Sequence, residues 1–507
     1  MIVGIRRYGR PAGWSGAEEQ RCEGASMALE TIDPRTPVLV GAGVANQRLA
    51  EAGAGVGELE LMARAVEDAA DGLGGLLRAV RHVLVPRGTW RHGDPGRWLA
   101  NRFKIVDAHS TLAELGVLQQ SLISRACADI AAGRADVVLV VGGEAAHRRL
   151  RARIAGVELA DPVADGVPDT VWAPGADILA RVEIDRHLAV PARQYAVMES
   201  AIGAARGLSP ADNAREIAAL WQGFSAVAAD AGHSVRGRAL REDELLSPEG
   251  RNAWLADPYT KWHCSQMNVD QAAALLLCSA EAARRFGVER GRWVFPTMAA
   301  EANTMVPLVA RPDLDRSPGF AAVGAALGSG VGDTTHVDLY SCFPAAVRIQ
   351  QRELGLTERA GRALTGTGGM AFAGGPLNNY VLQATVEVAA NVLAGGDGLV
   401  TAVSGMVTKQ AGALWAGRPA AGGFRAVDVS AELPARPVDA DYAGPADVVG
   451  CTVAFEQGEP AVAIAVVEGT GGVRSVASST DADVLASMRT DPWIGRSVRV
   501  RGDTFSI

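Results

Sequence analysis

The sequence is sparing with cysteine, histidine and aromatic residues, and it has no long apolar run and no block of positive charge. Among 507 residues there are six cysteines, Cys22, Cys127, Cys264, Cys278, Cys342 and Cys451, all far apart. No C-x-x-C pair or Cys/His cluster occurs, so spacing supports neither a zinc site nor a disulfide framework. Reduced thiols and a cytoplasmic address are the expectation. The basic residues are scattered over a chain of net charge −8. They form no stripe that would follow a phosphate backbone, so nucleic acid is not expected as a partner. No stretch reaches the roughly 18 consecutive apolar residues of a membrane span, and the opening "MIVGI" is too short for a signal-peptide core.

What is present is a composition of 48% hydrophobic residues and 59 glycines without a collagen period, which describes a folded chain rich in tight turns. Its length predicts two or three domains, because single cores stop growing beyond roughly 250–300 residues. Residues 1–34 read as a polar, disordered lead in which Met27 is an alternative start. "PVLVGAGV" (37–44) reads as a strand and "ELELMARAVEDAADGL" (58–73) as a helix, so the chain opens β then α. "HVLVP" reads as a second strand. Leu115, Leu118, Leu122, Ala126 and Ile130 share one helical face and predict a helix over 112–132 that feeds the strand "GRADVVLVVGGE" (133–144).

That last unit recurs. "GRADVVLVVGG" (133–143) aligns without gaps with "GGDGLVTAVSG" (395–405), and a second Ala-rich helix, about 377–394, precedes the second copy. Two such units point to a duplicated α/β fold, with halves at 35–290 and 291–431. The first half contains a mostly helical insertion at about 145–260. Within it "SPADNAREIAALWQGF" offers an N-cap serine, a proline at the first helical position, and Ile217, Leu220, Trp221 and Phe224 on one face. Residues 432–447 read as a Pro-, Gly- and acid-bearing linker. Residues 448–507, with short β-rich runs between turn dipeptides, read as a small all-β barrel or sandwich.

Two helices starting at equivalent points of a duplicated domain can converge their free amides on a developing oxyanion, which is thioester chemistry. On "ADVVLVVGGE", "VDLYSCF" (337–343), "GGMAFAGGP" (368–376) and "AVSGMVTKQAG" (402–412), the chain resembles the thiolase superfamily over roughly 36–430, in particular thiolase-like proteins labelled acetyl-CoA acetyltransferases. The resemblance implies a five-layered αβαβα fold with a helical loop insertion, plus a C-terminal β domain. It also implies an acyl-CoA thioester as substrate or ligand, no separate cofactor and possible homodimers.

A working thiolase uses two cysteines and a histidine. Here the nucleophile's place falls on Gly116 or its neighbours, the histidine's on Gly375, and the second cysteine's around Ser404 and Gly405. Cys342 stands where sterol-carrier-type thiolases have His-Asp-Cys-Phe, but the segment here reads Tyr340-Ser341-Cys342-Phe343. The segment "GGPLNNY" (374–380), with Gly374, Gly375, Pro376, Asn378 and Asn379, reads as a tight turn whose amides cradle a thioester oxygen. His263 and Cys264 are adjacent and so cannot face each other on a regular element, which makes them structural.

Three functions follow as expectations. The first is acyl transfer with Cys342 or another group replacing the lost set. The second is a retro-aldol lyase on a bulky CoA thioester with Tyr340 as acid or base. The third is a thioester-binding protein without chemistry. The glycines are expected to widen the pocket.

Overall fold

The computed structural model describes residues 32–356 and 363–507. Met27 and the expected lead, except its last three residues, lie outside the described residues. The first half runs through β1 (Pro37–Gln47), α1 (Glu58–Ala69), β2 (His82–Pro86), β3 (His109–Ala113), α2 (Gln119–Ala131) and β4 (Val137–Ala145). The insertion carries β5 (Thr170–Trp172), α3 (Pro191–Ala205), α4 (Pro210–Asp230), β6 (Trp254–Ala256) and β7 (Tyr259–Thr260), and β8 (Asp270–Ser279) closes the half. The second half comprises β9 (Phe295–Asn303), α5 (Pro318–Leu327), β10 (His336–Asp338), α6 (Pro344–Glu353), α7 (Tyr380–Ala394), β11 (Gly398–Ser404), β12 (Lys409–Ala416) and β13 (Arg425–Asp428).

The duplication is visible in strand order. The first sheet runs β1-β8-β4-β2-β3-β5 and the second β10-β11-β12-β9-β13. β8 in the first half and β12 in the second are each antiparallel to both their half's first strand and the strand after the buried helix, β4 or β11. That strand is in turn parallel to the half's second strand. The α2 and α7 helices each touch strands of both sheets, while α1 covers the far face of the first sheet and α5 that of the second. The result is the five-layered αβαβα architecture, with the central helices inside the larger core.

The reason α2 starts at Gln119 and not near 112 is local. Residues 109–113 pair in parallel with β2, and Gly116 at φ +99° breaks the chain direction before the helix begins. Leu115, expected on the helix's apolar face, is 44% exposed in the connecting loop. The α4 helix follows its sequence signature, with the Ser209 hydroxyl accepting the Asp212 amide at 3.1 Å and Pro210 at the first position.

The C-terminal unit runs β14 (Ala443–Glu456), β15 (Glu459–Gly469), β16 (Arg474–Ser479), α8 (Ala482–Thr490), β17 (Ser497–Arg501) and β18 (Thr504–Ser506). Strand β14 begins inside the span expected as linker, and a helix interrupts what was expected to be all β. β15, β16, β18 and β17 pair in turn, and β14 pairs with both β15 and β17, so the sheet closes into a five-stranded barrel. With α8 between the third and fourth strands this is the OB-fold arrangement. The barrel docks on the insertion: β6 pairs with β14, the Cys451 amide donates to Ser200 Oγ at 2.9 Å, and Thr452 Oγ1 donates to the Asp257 carbonyl at 2.8 Å.

Close approach fixes the strand-to-helix packing. A Cβ on Gly41 in β1 would collide with the Ala69 carbonyl of α1 and stand 3.2 Å from Leu276 Cβ of β8. Replacing Gly41→Val forces a layer apart and is expected to cost about 3 kcal/mol, read as a lowered urea midpoint.

Candidate functional site

The ends of α2 and α7 meet. Gln119, the first residue of α2, accepts the Val381 amide of α7 on its side-chain oxygen at 2.7 Å. The convergence expected from the duplication is therefore present, but one of the amides expected to face a ligand is already bonded. The Gly116 carbonyl, in the loop before α2, accepts from Lys409 Nζ at 2.8 Å and from Ser404 Oγ at 3.4 Å. The structure thus brings Gly116 and Ser404 together.

The expected widening does not occur. A Cβ on Gly375 would land on Ser265 Oγ and come within 3.0 Å of Met370 Cβ. One on Gly374, at φ +105°, would land on the Gln271 amide. Gly405, at φ +56°, is hemmed by Thr408 Oγ1 and by Ile178 Cγ2 at 2.8 Å, and Gly116 by Pro174 at 3.2 Å. The glycines are present because other parts of the chain end where their side chains would start. Pro174 and Ile178 both come from the stretch after β5, so the insertion itself fills the site.

Two polar groups of the turn 374–380 are tied to the protein itself. The Gly375 amide donates to the Gln266 carbonyl at 3.0 Å, and Asn378, at φ +58°, donates its side-chain amide to the Arg87 carbonyl at 3.1 Å. Pro376 is buried. Asn379 is 1% exposed, and neither polar atom of its side chain has a protein partner.

Cys342 follows β10 in the turn before α6. Its carbonyl accepts the Ser265 amide at 3.1 Å, which sets it beside Cys264 and the Gly375 turn. The thiol is buried with the Tyr195 hydroxyl as its hydrogen-bonding neighbour. Burial pushes its pKa up to about 12, outweighing that hydrogen bond. His263, near in sequence, is buried and held neutral, its pKa pulled down to about 4 by desolvation. Its Nδ1 meets Thr260 Oγ1 at 2.9 Å, a structural use of the ring.

Tyr340 is half-buried, stands edge-on to Tyr380 with ring centroids 5.8 Å apart, and has its pKa raised by burial. Ser341 is fully buried and ties the neighbouring loop, its Oγ accepting the Met370 amide at 3.1 Å.

Sequence reasoning missed the residue that organises this loop, Asp338. One carboxylate oxygen accepts from Thr365 Oγ1, the Gly366 and Thr367 amides and Thr367 Oγ1, all between 2.9 and 3.0 Å. The other accepts the Tyr380 hydroxyl at 2.8 Å. The signal was an acid at the end of an apolar strand, a position that needs partners if buried.

No family model matches the sequence, and neither does any curated protein. Among solved structures, a monomeric SCP2-thiolase like protein type 1 from Mycobacterium smegmatis is 27% identical over 94% of this chain and 99% of that one, with a TM-score of 0.76. This chain belongs to the thiolase-like superfamily. More distant likenesses show the fold alone. An Ltp2-ChsH2(DUF35) aldolase matches at 19% identity over 76% of this chain and 99% of that one, TM-score 0.55. The dimeric peroxisomal thiolase of Saccharomyces cerevisiae matches at 14% over 77% and 99%, TM-score 0.52. No described helix of this thiolase-like protein is long and apolar enough to cross a membrane.

Two outcomes check this geometry. Because burial holds the Cys342 thiol protonated and out of reach, iodoacetamide should leave Cys342 unmodified in the native chain at pH 8 and alkylate it in urea, as peptide mass mapping would record. Asp338→Ala strips the acceptor from five donors and should destabilise the chain by about 3 kcal/mol or more, measured by chemical denaturation.

Proposed function

We propose that this thiolase-like protein binds an acyl thioester of coenzyme A and forms no acyl-enzyme. The observation that carries the reading is the place of the missing imidazole, where Ser265 Oγ and Met370 stand over Gly375. Without a base, and with its pKa near 12, the Cys342 thiol is a weak nucleophile at neutral pH. Binding is supported by buried polar atoms that lack protein partners at the same positions. These are Ser265 Oγ, Thr408 Oγ1, the Gln271 side-chain oxygen and both polar atoms of Asn379. Native proteins leave few such groups unsatisfied, so these suit a ligand's carbonyl and amides or ordered water.

A second reading, a carbon–carbon lyase, is favoured by Tyr340. Its hydroxyl makes no hydrogen bond among the described residues, and a protein of the same fold is named an aldolase. In a retro-aldol cleavage the β-hydroxyl loses a proton, the Cα–Cβ bond breaks, and the resulting thioester enolate takes up a proton at Cα. A tyrosine whose pKa is raised by burial suits the last step and not the first.

The test is intact-protein mass together with titration calorimetry, using acetyl-CoA and a bulky β-hydroxyacyl-CoA. The binding reading predicts heat of binding with no mass gain. An acyl adduct that vanishes in Cys342→Ala would replace it with acyl transfer. Release of a ketone or aldehyde that is lost in Tyr340→Phe would replace it with the lyase.

A further inference from the structure

Only three of the 49 basic side chains are lysines, Lys104, Lys261 and Lys409. The first two are exposed, whereas Lys409, at the start of β12, is 4% exposed. An ammonium is a compact, strongly hydrated charge with three N–H donors, and its burial costs free energy unless those donors and that charge find partners. Among the described residues Lys409 Nζ donates to one group, the Gly116 carbonyl at 2.8 Å. The acid that acts on it is Glu301 of β9, which lies beyond ion-pair distance and is itself engaged by the Ser121 hydroxyl at 2.5 Å and by Asn303. Desolvation pulls the Lys409 pKa down against the field of that carboxylate.

This ammonium stands beside the polar groups assigned above to the ligand. Ser404, its cross-strand partner in β11, turns its hydroxyl to the same Gly116 carbonyl at 3.4 Å. Thr408, one residue before it, is 1% exposed and its Oγ1 has no protein partner. Gly116 lies three residues before Gln119, whose side chain holds the Val381 amide two residues after Asn379. The hairpin that sets Lys409 opposite Ser404 is strained, since Met406 and Val407 hold φ of +50° and +63°, where a β-branched residue is an outlier. Such strain is characteristic of ligand-binding turns.

We propose that Lys409, with the Ser404 hydroxyl beside it, is a carboxylate-recognition subsite, so that the bound thioester is one whose acyl group ends in a free carboxylate. The proposal rests on the thioester-binding reading for the identity of the ligand. A terminal carboxylate takes two hydrogen bonds from the ammonium and one from the hydroxyl, and it supplies the countercharge that Glu301 stands too far away to give. An acyl chain ending in a methyl group would leave the ammonium as it is, buried and short of partners.

Malonyl-, succinyl- and glutaryl-CoA are titrated by calorimetry beside propionyl-, butyryl- and pentanoyl-CoA, their methyl-ended counterparts of equal carbon number, with free glutarate as a separate probe. The proteins are the full chain, Lys409→Met and Ser404→Ala. The dicarboxylic ester of best-fitting length should bind the wild type about tenfold or more tightly than its counterpart. Ser404→Ala should narrow that margin about threefold, and Lys409→Met should abolish it. The methyl-ended esters should bind Lys409→Met at least as well as they bind wild type.

Equal binding of the two series by the wild type, or a preference that survives in Lys409→Met, overturns the subsite and leaves the thioester reading standing. If Lys409→Met does not fold, Ser404→Ala decides: an undiminished preference there overturns the proposal. If no thioester binds the wild type, the thioester reading falls, and glutarate bound by the wild type but not by Lys409→Met would leave the carboxylate site standing. Glutarate bound equally by both, or by neither, would sink the carboxylate site as well.

Discussion

Two buried helices, α2 and α7, constrain everything else in this protein. Each must satisfy apolar faces turned toward both sheets, so the sheets are held at a fixed spacing and the helix ends are brought to one place. The Gln119 side chain joins those ends by taking the Val381 amide. The loops that leave this point, 114–118, 339–343, 368–379 and 404–408, are then obliged to crowd around it. In this chain those loops leave no room for a side chain at Gly116, Gly375 or Gly405.

The chemical consequence follows from volume and desolvation together. Ser265 and Met370 stand where an imidazole would project, and Ile178 and Pro174 from the insertion cover Gly405 and Gly116. In the same dry surroundings the Cys342 thiol is held protonated and His263 is held neutral, so neither supplies the charge that acyl transfer needs. The exception is the set of buried polar atoms left without protein partners. Polarity without a base or nucleophile is what the proposed thioester recognition rests on.

Much of the architecture was legible because it rests on local chemistry. The Ser209–Pro210 start of α4, the recurrence of the glycine–strand unit at 133 and 395, and the apolar runs of the first sheet are short-range patterns. The misplaced start of α2 shows the limit: 112–118 carries helical spacing, but pairing with β2 made its beginning a strand and Gly116 turned the rest into a loop. The site was harder. A glycine in the sequence says that no side chain begins there and says nothing of what else ends there. Ser265 lies 110 positions from Gly375, and no local pattern joins them. Asp338 was missed for a related reason, since its five donors come from a segment beyond α6 and from α7.

The central claim is that neighbouring side chains occupy the places of the lost catalytic groups, and a double-mutant cycle between Gly375→Ala and Ser265→Gly measures it directly. If Ser265 Oγ fills the space, Gly375→Ala should be strongly destabilising alone, and removing the hydroxymethyl group should recover about 1 kcal/mol or more of that loss. Additive effects of the two substitutions on unfolding free energy would mean that the space beside Gly375 is open, and would contradict the account.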